Sequence, residues 1–188
     1  MNSSALPYKT LASKLKAAPK QTEPELYQLV ANLPFEFRPA MAYLFLGFIT
    51  FMILDEVEQK LILVGYSDTE HYQMAVAGYS FDPADFSVPI DDPHNDFAVA
   101  VRTGQPIFPS DWSSVQRSEA STEITKMNQA SSGITHFSIY PLRGDRRGTL
   151  MYNFYDFDHD DELKAAQLDF MEQYTELVSS WMENKLES

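Results

Sequence analysis

Residues 40–54, AMAYLFLGFITFMIL, carry no charged side chain and lie between Arg38 and Asp55. At 15 residues the run falls short of the roughly 20 that a membrane-spanning helix needs. Its later half, FLGFITFMIL, is rich in Phe, Ile and Thr, as a strand covered on both faces would be. The run therefore predicts a central strand rather than a membrane segment. The next apolar stretch, QKLILVGYS (59–67), is again strand-like, and the polar DEVEQ between them has hairpin length.

A second hairpin is predicted further on. ITHFSIYPLR (134–143) and GTLMYNFYDF (148–157) flank GDRR, with Gly144 and Gly148 able to take turn conformations that other residues resist. Shorter strands are expected at QPIF (105–108) and within HYQMAVAGY (71–79), giving five or six strands in mainly antiparallel order. Helices flank them. Thr22 and Glu25 have capping-box spacing, with Pro24 in the first turn of PELYQLVANL. Asp92 is the expected cap and Pro93 the first residue of a helix through HNDFAVAVRT. Gly104 is placed to end that helix in a left-handed conformation, and Pro106 forbids its continuation. The final helix starts in DHDDE and runs to about Lys185. Leu163, Gln167, Phe170, Tyr174, Leu177 and Trp181 recur at steps of three and four, with Met171, Val178 and Met182 as a second strip. Apolar cover that wide predicts contact with more than one surface, and hence a homodimer.

Charge narrows the function classes. Residues 1–20 hold Lys9, Lys14, Lys16 and Lys20 with no acid; taking this +4 from the total of −13 leaves −17 for the rest. Phosphate contacts drive nucleic-acid affinity, so the acidic body argues against that partner. The basic leader, residues 1–21, is read as a helical extension that is solvated, meets an anionic partner, or folds on its own acidic body. It lacks the apolar core of a secretory signal, so a cytoplasmic protein is expected. The absence of cysteine bars disulfides, thiolate metal sites and thioether-linked cofactors.

The order of these elements resembles a GAF domain. FAVAVRTGQPIFPSDW is similar to that family's helix, Thr-Gly turn, Pro-Ile/Val strand and acid with an aromatic neighbour. YPLR, GTLMY and FDHDDE stand where the family has Val-Pro-Leu, Gly-x-Leu and a Phe-Ser-x-Glu-like helix start. FITFMILDEVEQKLILVGYS resembles the opening strand pair, and the likeness spans roughly residues 22–185. It implies a single α/β (α+β) domain over residues 22–188. A central antiparallel sheet of about six strands would carry the terminal helices on one face and a pocket on the other. It also implies a regulatory module that binds a small molecule, with residues 101–112 at the pocket rim. Covalent bilin attachment in many members, and the methionine-(R)-sulfoxide reductases of this fold, depend on cysteine, which this chain lacks. No bound cofactor is expected.

Candidate site residues follow. Trp112 is placed to wall a cavity, its ring stacked on a planar ligand and its N–H free to bond, with Asp111 beside it; plugging the core is the competing role. His136 alternates with Ser138 and Tyr140 and contacts a ligand if that strand face lines the pocket. Tyr66, Phe97, Tyr152 and Tyr155 are further candidates, each equally serviceable as core. Arg102 pairs either with a ligand anion or with the negative end of its own helix. Metal sites are not expected. Asp156, Asp158 and Asp160 match a calcium loop that then fails at Asp161 and Gln167. His94 among Asp91, Asp92 and Asp96 sits at a helix start, where neighbouring acids diverge. No nucleophile elbow, P-loop or dinucleotide fingerprint appears.

The sequence thus predicts a non-enzymatic sensor binding a small molecule in an aromatic pocket. Signalling would run through its terminal helices to a separate output protein. Two alternatives stand beside it. One is an interaction adaptor with a vestigial pocket; the other is an enzyme using His136 and Asp111.

Overall fold

A computed structural model describes residues 8–18, 22–79, 82–115, 121–144, 147–157 and 160–186. The chain opens with α1 (Tyr8–Ala17), α2 (Glu23–Asn32) and a short α3 (Arg38–Tyr43), followed by β1 (Leu46–Asp55) and β2 (Lys60–Tyr66). α4 (Glu70–Val76), β3 (Ser87–Pro89), α5 (Asp96–Thr103) and α6 (Thr122–Ser131) form the middle. β4 (His136–Pro141), β5 (Gly148–Phe154) and the long α7 (Asp161–Leu186) complete it. The sheet order is β3-β2-β1-β5-β4, antiparallel throughout.

β1 is the central strand, and nine of its ten positions are buried. Its turn to β2 is held by the Asp55 carboxylate, which accepts from the N–H groups of Val57 (2.8 Å) and Glu58 (3.0 Å). Beyond β4 a sixth position is filled by one bridge, in which Ile107 and Ile139 exchange two backbone hydrogen bonds of 2.9 Å. The expected QPIF strand stops there because Pro106 and Pro109 have no N–H to extend the ladder.

Two local expectations are corrected. Residues 71–79 begin in helix, not strand. Thr69 accepts the N–H of Tyr72 at the start of α4, and Tyr72 and Ala75 are buried at helical spacing. The strand on that side of the sheet is instead β3, three residues long and too short to show a period. α5 starts three residues later than predicted, because Asn95 and not Asp92 is its cap; the Asn95 Oδ1 accepts from Phe97 N–H at 3.0 Å. Asp92 instead closes a turn onto His94 N–H, leaving Pro93 outside the helix. Gly104 ends α5 as expected, at φ 65°. The Thr22–Glu25 pair caps α2, with the Glu25 carboxylate accepting from the Thr22 N–H at 2.9 Å.

Each sheet face has its own apolar cluster. On one face Ile49, Phe51 and Ile53 of β1 join Leu150, Tyr152 and Phe154 of β5 under Phe170, Tyr174 and Trp181 of α7. The second strip of α7, Met171, Val178 and Met182, lies in this same cluster, which also takes in Leu11 and Leu15 of α1. Both leucines are 0% exposed. The second strip is thus part of the chain's own core. Polar tips fix the layer: the Trp181 indole donates to Leu15 O at 2.9 Å and the Tyr174 hydroxyl to Val30 O at 2.7 Å. Gly65 belongs to the close approach of β2 and α2, since a Cβ there would stand 2.5 Å from the Tyr27 carbonyl oxygen.

Lys14 of α1 pairs with Glu36, so part of the basic leader meets the acidic body. Among the described residues no helix is long and apolar enough to cross a membrane, and no three His, Asp or Glu side chains converge on a metal position. The expectations for Asp158 and His159, for residues 1–7 and 19–21, and for Asp145 and Arg146 of the second hairpin lie outside the described residues.

Packing of α1 makes a direct prediction. Leu15→Ala removes a fully buried side chain and is expected to cost about 2–5 kcal/mol, measured by urea denaturation. A free extension would show no change.

Candidate functional site

The opposite sheet face carries Phe48, Met52 and Leu54 of β1, Leu61 of β2 and Met151 of β5. α4, α5, residues 82–90 and the turn at Trp112–Ser114 cover it. The cover does not close completely. A cavity of about 60 Å³ remains, floored by Phe48, Thr50, Met52, Leu63 and Met151. Tyr72, Ala75, Val76 and Tyr79 wall one side; Pro83, Phe86, Phe97, Trp112 and Val115 wall the other.

The aromatic wall is built edge to face. Phe48 meets Tyr72 at 5.5 Å and 73°, and Trp112 at 6.0 Å and 68°, while Phe86 meets Phe97 at 6.3 Å and 68°. Tyr66 stacks on the back of Tyr72 at 4.4 Å and 12°. Trp112 is held at both ends. Its backbone N–H donates to Gln129 Oε1 (3.0 Å), and its indole N–H donates to Asn153 Oδ1 (3.2 Å). Asn95 secures the same turn by donating to Val115 O at 2.9 Å.

Two lining hydroxyls differ from the rest. Thr50 Oγ1 and Tyr72 Oη are buried without a hydrogen-bond partner, in residues 7% and 6% exposed. A buried polar group left unpaired costs about 1–3 kcal/mol. Burial, with smaller contributions from Tyr66, Asp82 and Tyr79, pushes the Tyr72 phenol well above its ordinary range, so it stays neutral. Among the described residues no Asp, Glu, His, Lys or Arg lines the cavity.

The predicted residues divide by face and by task. Trp112 and Phe97 line the cavity, and Tyr66 backs it. Asp111 does not line it. Its carboxylate caps the turn, accepting from the hydroxyl and N–H of Ser113, with Lys126 at 3.5 Å. The Ser113 hydroxyl holds the Asp111 carboxyl below the usual range; burial is the next-largest influence and opposes it, and the Ser113 N–H and Lys126 lower it further. Tyr152 and His136 belong to the other face of the sheet. Tyr152 pairs with Ile49, and its hydroxyl shares a 2.8 Å hydrogen bond with Thr175 of α7. His136 lies exposed at the start of β4 against Phe157. The enzyme alternative built on His136 and Asp111 therefore finds no shared site in this cavity. Arg102 donates to Ile90 O (2.8 Å) and Asp92 O (3.0 Å), bracing the chain that leads into α5. Tyr155 stacks on His71 at 4.8 Å, away from the lining set.

Sequence reasoning missed Thr50 and Tyr72. Thr50 alternates with Phe48 and Met52 along β1, a signal that was present. Tyr72 was hidden by the strand reading of 71–79.

No family model matches the sequence, and no curated protein matches it. Solved structures do match. The GAF domain of a phosphoenolpyruvate-protein phosphotransferase from Coxiella burnetii is 11% identical, with 95% of this chain and 94% of that one covered at a TM-score of 0.56. The nlh2 GAF domain of A. aeolicus, in an inactive state, is 11% identical over 95% and 94% at 0.57. The free methionine-R-sulfoxide reductase of Neisseria meningitidis, in complex with its substrate, is 13% identical over 94% and 86% at 0.56. The chain has a GAF-like fold.

The indole anchor is testable. Asn153→Leu would strand the buried Trp112 N–H and is expected to lower stability by about 1–3 kcal/mol in urea denaturation. An unchanged midpoint would mean the bond does not hold the turn.

Proposed function

We propose that this protein is a non-enzymatic regulatory module that binds a small molecule in the cavity beneath Tyr72 and Trp112. One observation carries the reading: an apolar, aromatic-walled space on the sheet face opposite α7, with two buried hydroxyls that lack partners. Pockets of this make-up, with few polar groups on an apolar lining, suit orientation of a small ligand. The GAF-like fold of the neighbours is consistent with this role but does not assign a ligand.

The cavity is smaller than the roughly 150 Å³ that accommodates benzene in a protein core. Binding therefore widens it by moving part of the cover, and the ligand acts only through its preference for the widened state. Tyr72 is the connection to the far side. It stacks on Tyr66, whose backbone is gripped by α2: Gln28 donates to Tyr66 O at 2.7 Å, Asn32 donates to the same oxygen at 3.0 Å, and Tyr66 N–H donates to Gln28 Oε1 at 3.2 Å. α2 in turn receives the Tyr174 hydroxyl of α7. A shift of α4 thus has a packed, hydrogen-bonded route to the terminal helices, where a homodimer contact and a separate cytoplasmic output protein belong to the same proposal. The small volume is also the observation that favours the second reading, an adaptor whose pocket is vestigial.

Ala75→Met is the test, because it fills the cavity from α4 at an overpacking cost of about 1–3 kcal/mol. Native mass spectrometry of gently purified protein is expected to find a stoichiometric small molecule on the parent chain and none on a folded Ala75→Met variant. Absence of any retained mass from both would favour the adaptor.

A further inference from the structure

We propose that the occupant of this cavity is a compact, uncharged molecule with a flat apolar body and one hydroxyl-type group, for which phenol is the simplest model. The inference rests on the binding-site reading above and gives that site its ligand class. Three observations converge on it.

The first is the lining. Among the described residues none of its side chains is a carboxylate, imidazole, ammonium or guanidinium, so these residues give a bound ion no charged partner. Desolvating an unpaired ion is far costlier than desolvating a neutral group. The second is the surrounding field. The chain carries −13 overall, and Asp82 is close enough for its charge to raise the Tyr72 phenol. An anionic ligand is repelled on approach and again at the wall. A cation is attracted on approach and meets ring faces inside, but each face offsets only a small part of its lost hydration, and no carboxylate among the described lining residues offsets the rest. The third is the pair of hydroxyls. Thr50 Oγ1 and Tyr72 Oη sit on neighbouring elements with their hydrogen-bonding capacity unused. Each both donates and accepts, so a ligand hydroxyl that enters as α4 moves outward satisfies one or both. The same widening that admits the ring ends the cost of leaving those groups unpaired.

Two methionines make the site readable. Met52 and Met151 line the cavity, among eight methionines in the chain. Labelling the methionine methyls and titrating with phenol, benzene, benzoate and phenyltrimethylammonium compares neutral, anionic and cationic probes of the same ring. Phenol is expected to shift the Met52 and Met151 resonances saturably, benzene more weakly, and the two ions not at all. Thr50→Val and Tyr72→Phe remove the hydroxyls while keeping the shape. Both variants are expected to fold at least as stably as the parent, since the lost groups have no partners. Each is expected to weaken phenol about three- to ten-fold and leave benzene unchanged. Equal or stronger perturbation by either ion overturns the ligand class and leaves the site standing. Phenol binding unaltered by both substitutions overturns the hydroxyl assignment. No response of Met52 and Met151 to any probe overturns the site itself.

Discussion

A strand buried on both faces and paired along both edges is the constraint on which this structure depends. β1 has Ile49, Phe51 and Ile53 on one side and Phe48, Met52 and Leu54 on the other. Neither set tolerates water. One layer of helix satisfies half of that demand, and two layers are required. The terminal helices supply the first. The second is assembled from shorter pieces: α4, α5, the segment leading into β3 and the turn at Trp112. The aromatic-walled cavity lies in this layer of short elements joined by turns, whereas a more polar space of about 150 Å³ opens between β4 and α7 at Tyr140, Arg143, Glu172 and Glu176.

The two layers also differ in how their polar groups are settled. On the α7 side, Tyr152, Tyr174 and Trp181 bury large rings and each finds a hydrogen-bond partner. On the cavity side Trp112 is doubly anchored, yet Thr50 and Tyr72 are not satisfied. Gln167 Oε1 on the α7 side lacks a partner as well, but Thr50 and Tyr72 are the unpaired hydroxyls that border the aromatic-walled cavity. Local unfolding and rearrangement draw on regions with fewer buried contacts and shorter elements. Movement that begins on the α4 side is the mechanical expectation for such a division.

Much of the fold was legible because its signals are local. The uncharged run at 40–54, the polar DEVEQ turn, the Thr22–Glu25 spacing and Gly104 each act within a few residues, and each appears as read. The misreadings share a cause as well. HYQMAVAGY alternates loosely enough to suit a strand, but Thr69 is placed to cap a helix, and tertiary contact of Tyr72 and Ala75 settled the matter. Asn95 displaced Asp92 as a cap because both are suitable residues and only packing distinguishes them. Phe97 and Trp112 were recognisable as pocket residues from their position around the Gly104 stop. Tyr152 was not assignable to a face, since β5 is buried along its whole length and its two faces look alike in sequence; β4 is likewise buried at every position after His136.

By itself the sequence determined a central strand, two hairpins and the ends of several helices. It also excluded cysteine chemistry and disfavoured a polyanionic partner. These follow from residue type and short-range spacing. The tertiary structure alone decided which face of the sheet holds the aromatic-walled space, that α1 packs on α7 at Phe170 and Trp181, and that Asp111 caps a turn instead of lining a pocket. The physical reason is that an apolar side chain records that it must be buried, not against what. Partnering across 40 or 100 residues is settled by packing all the layers at once.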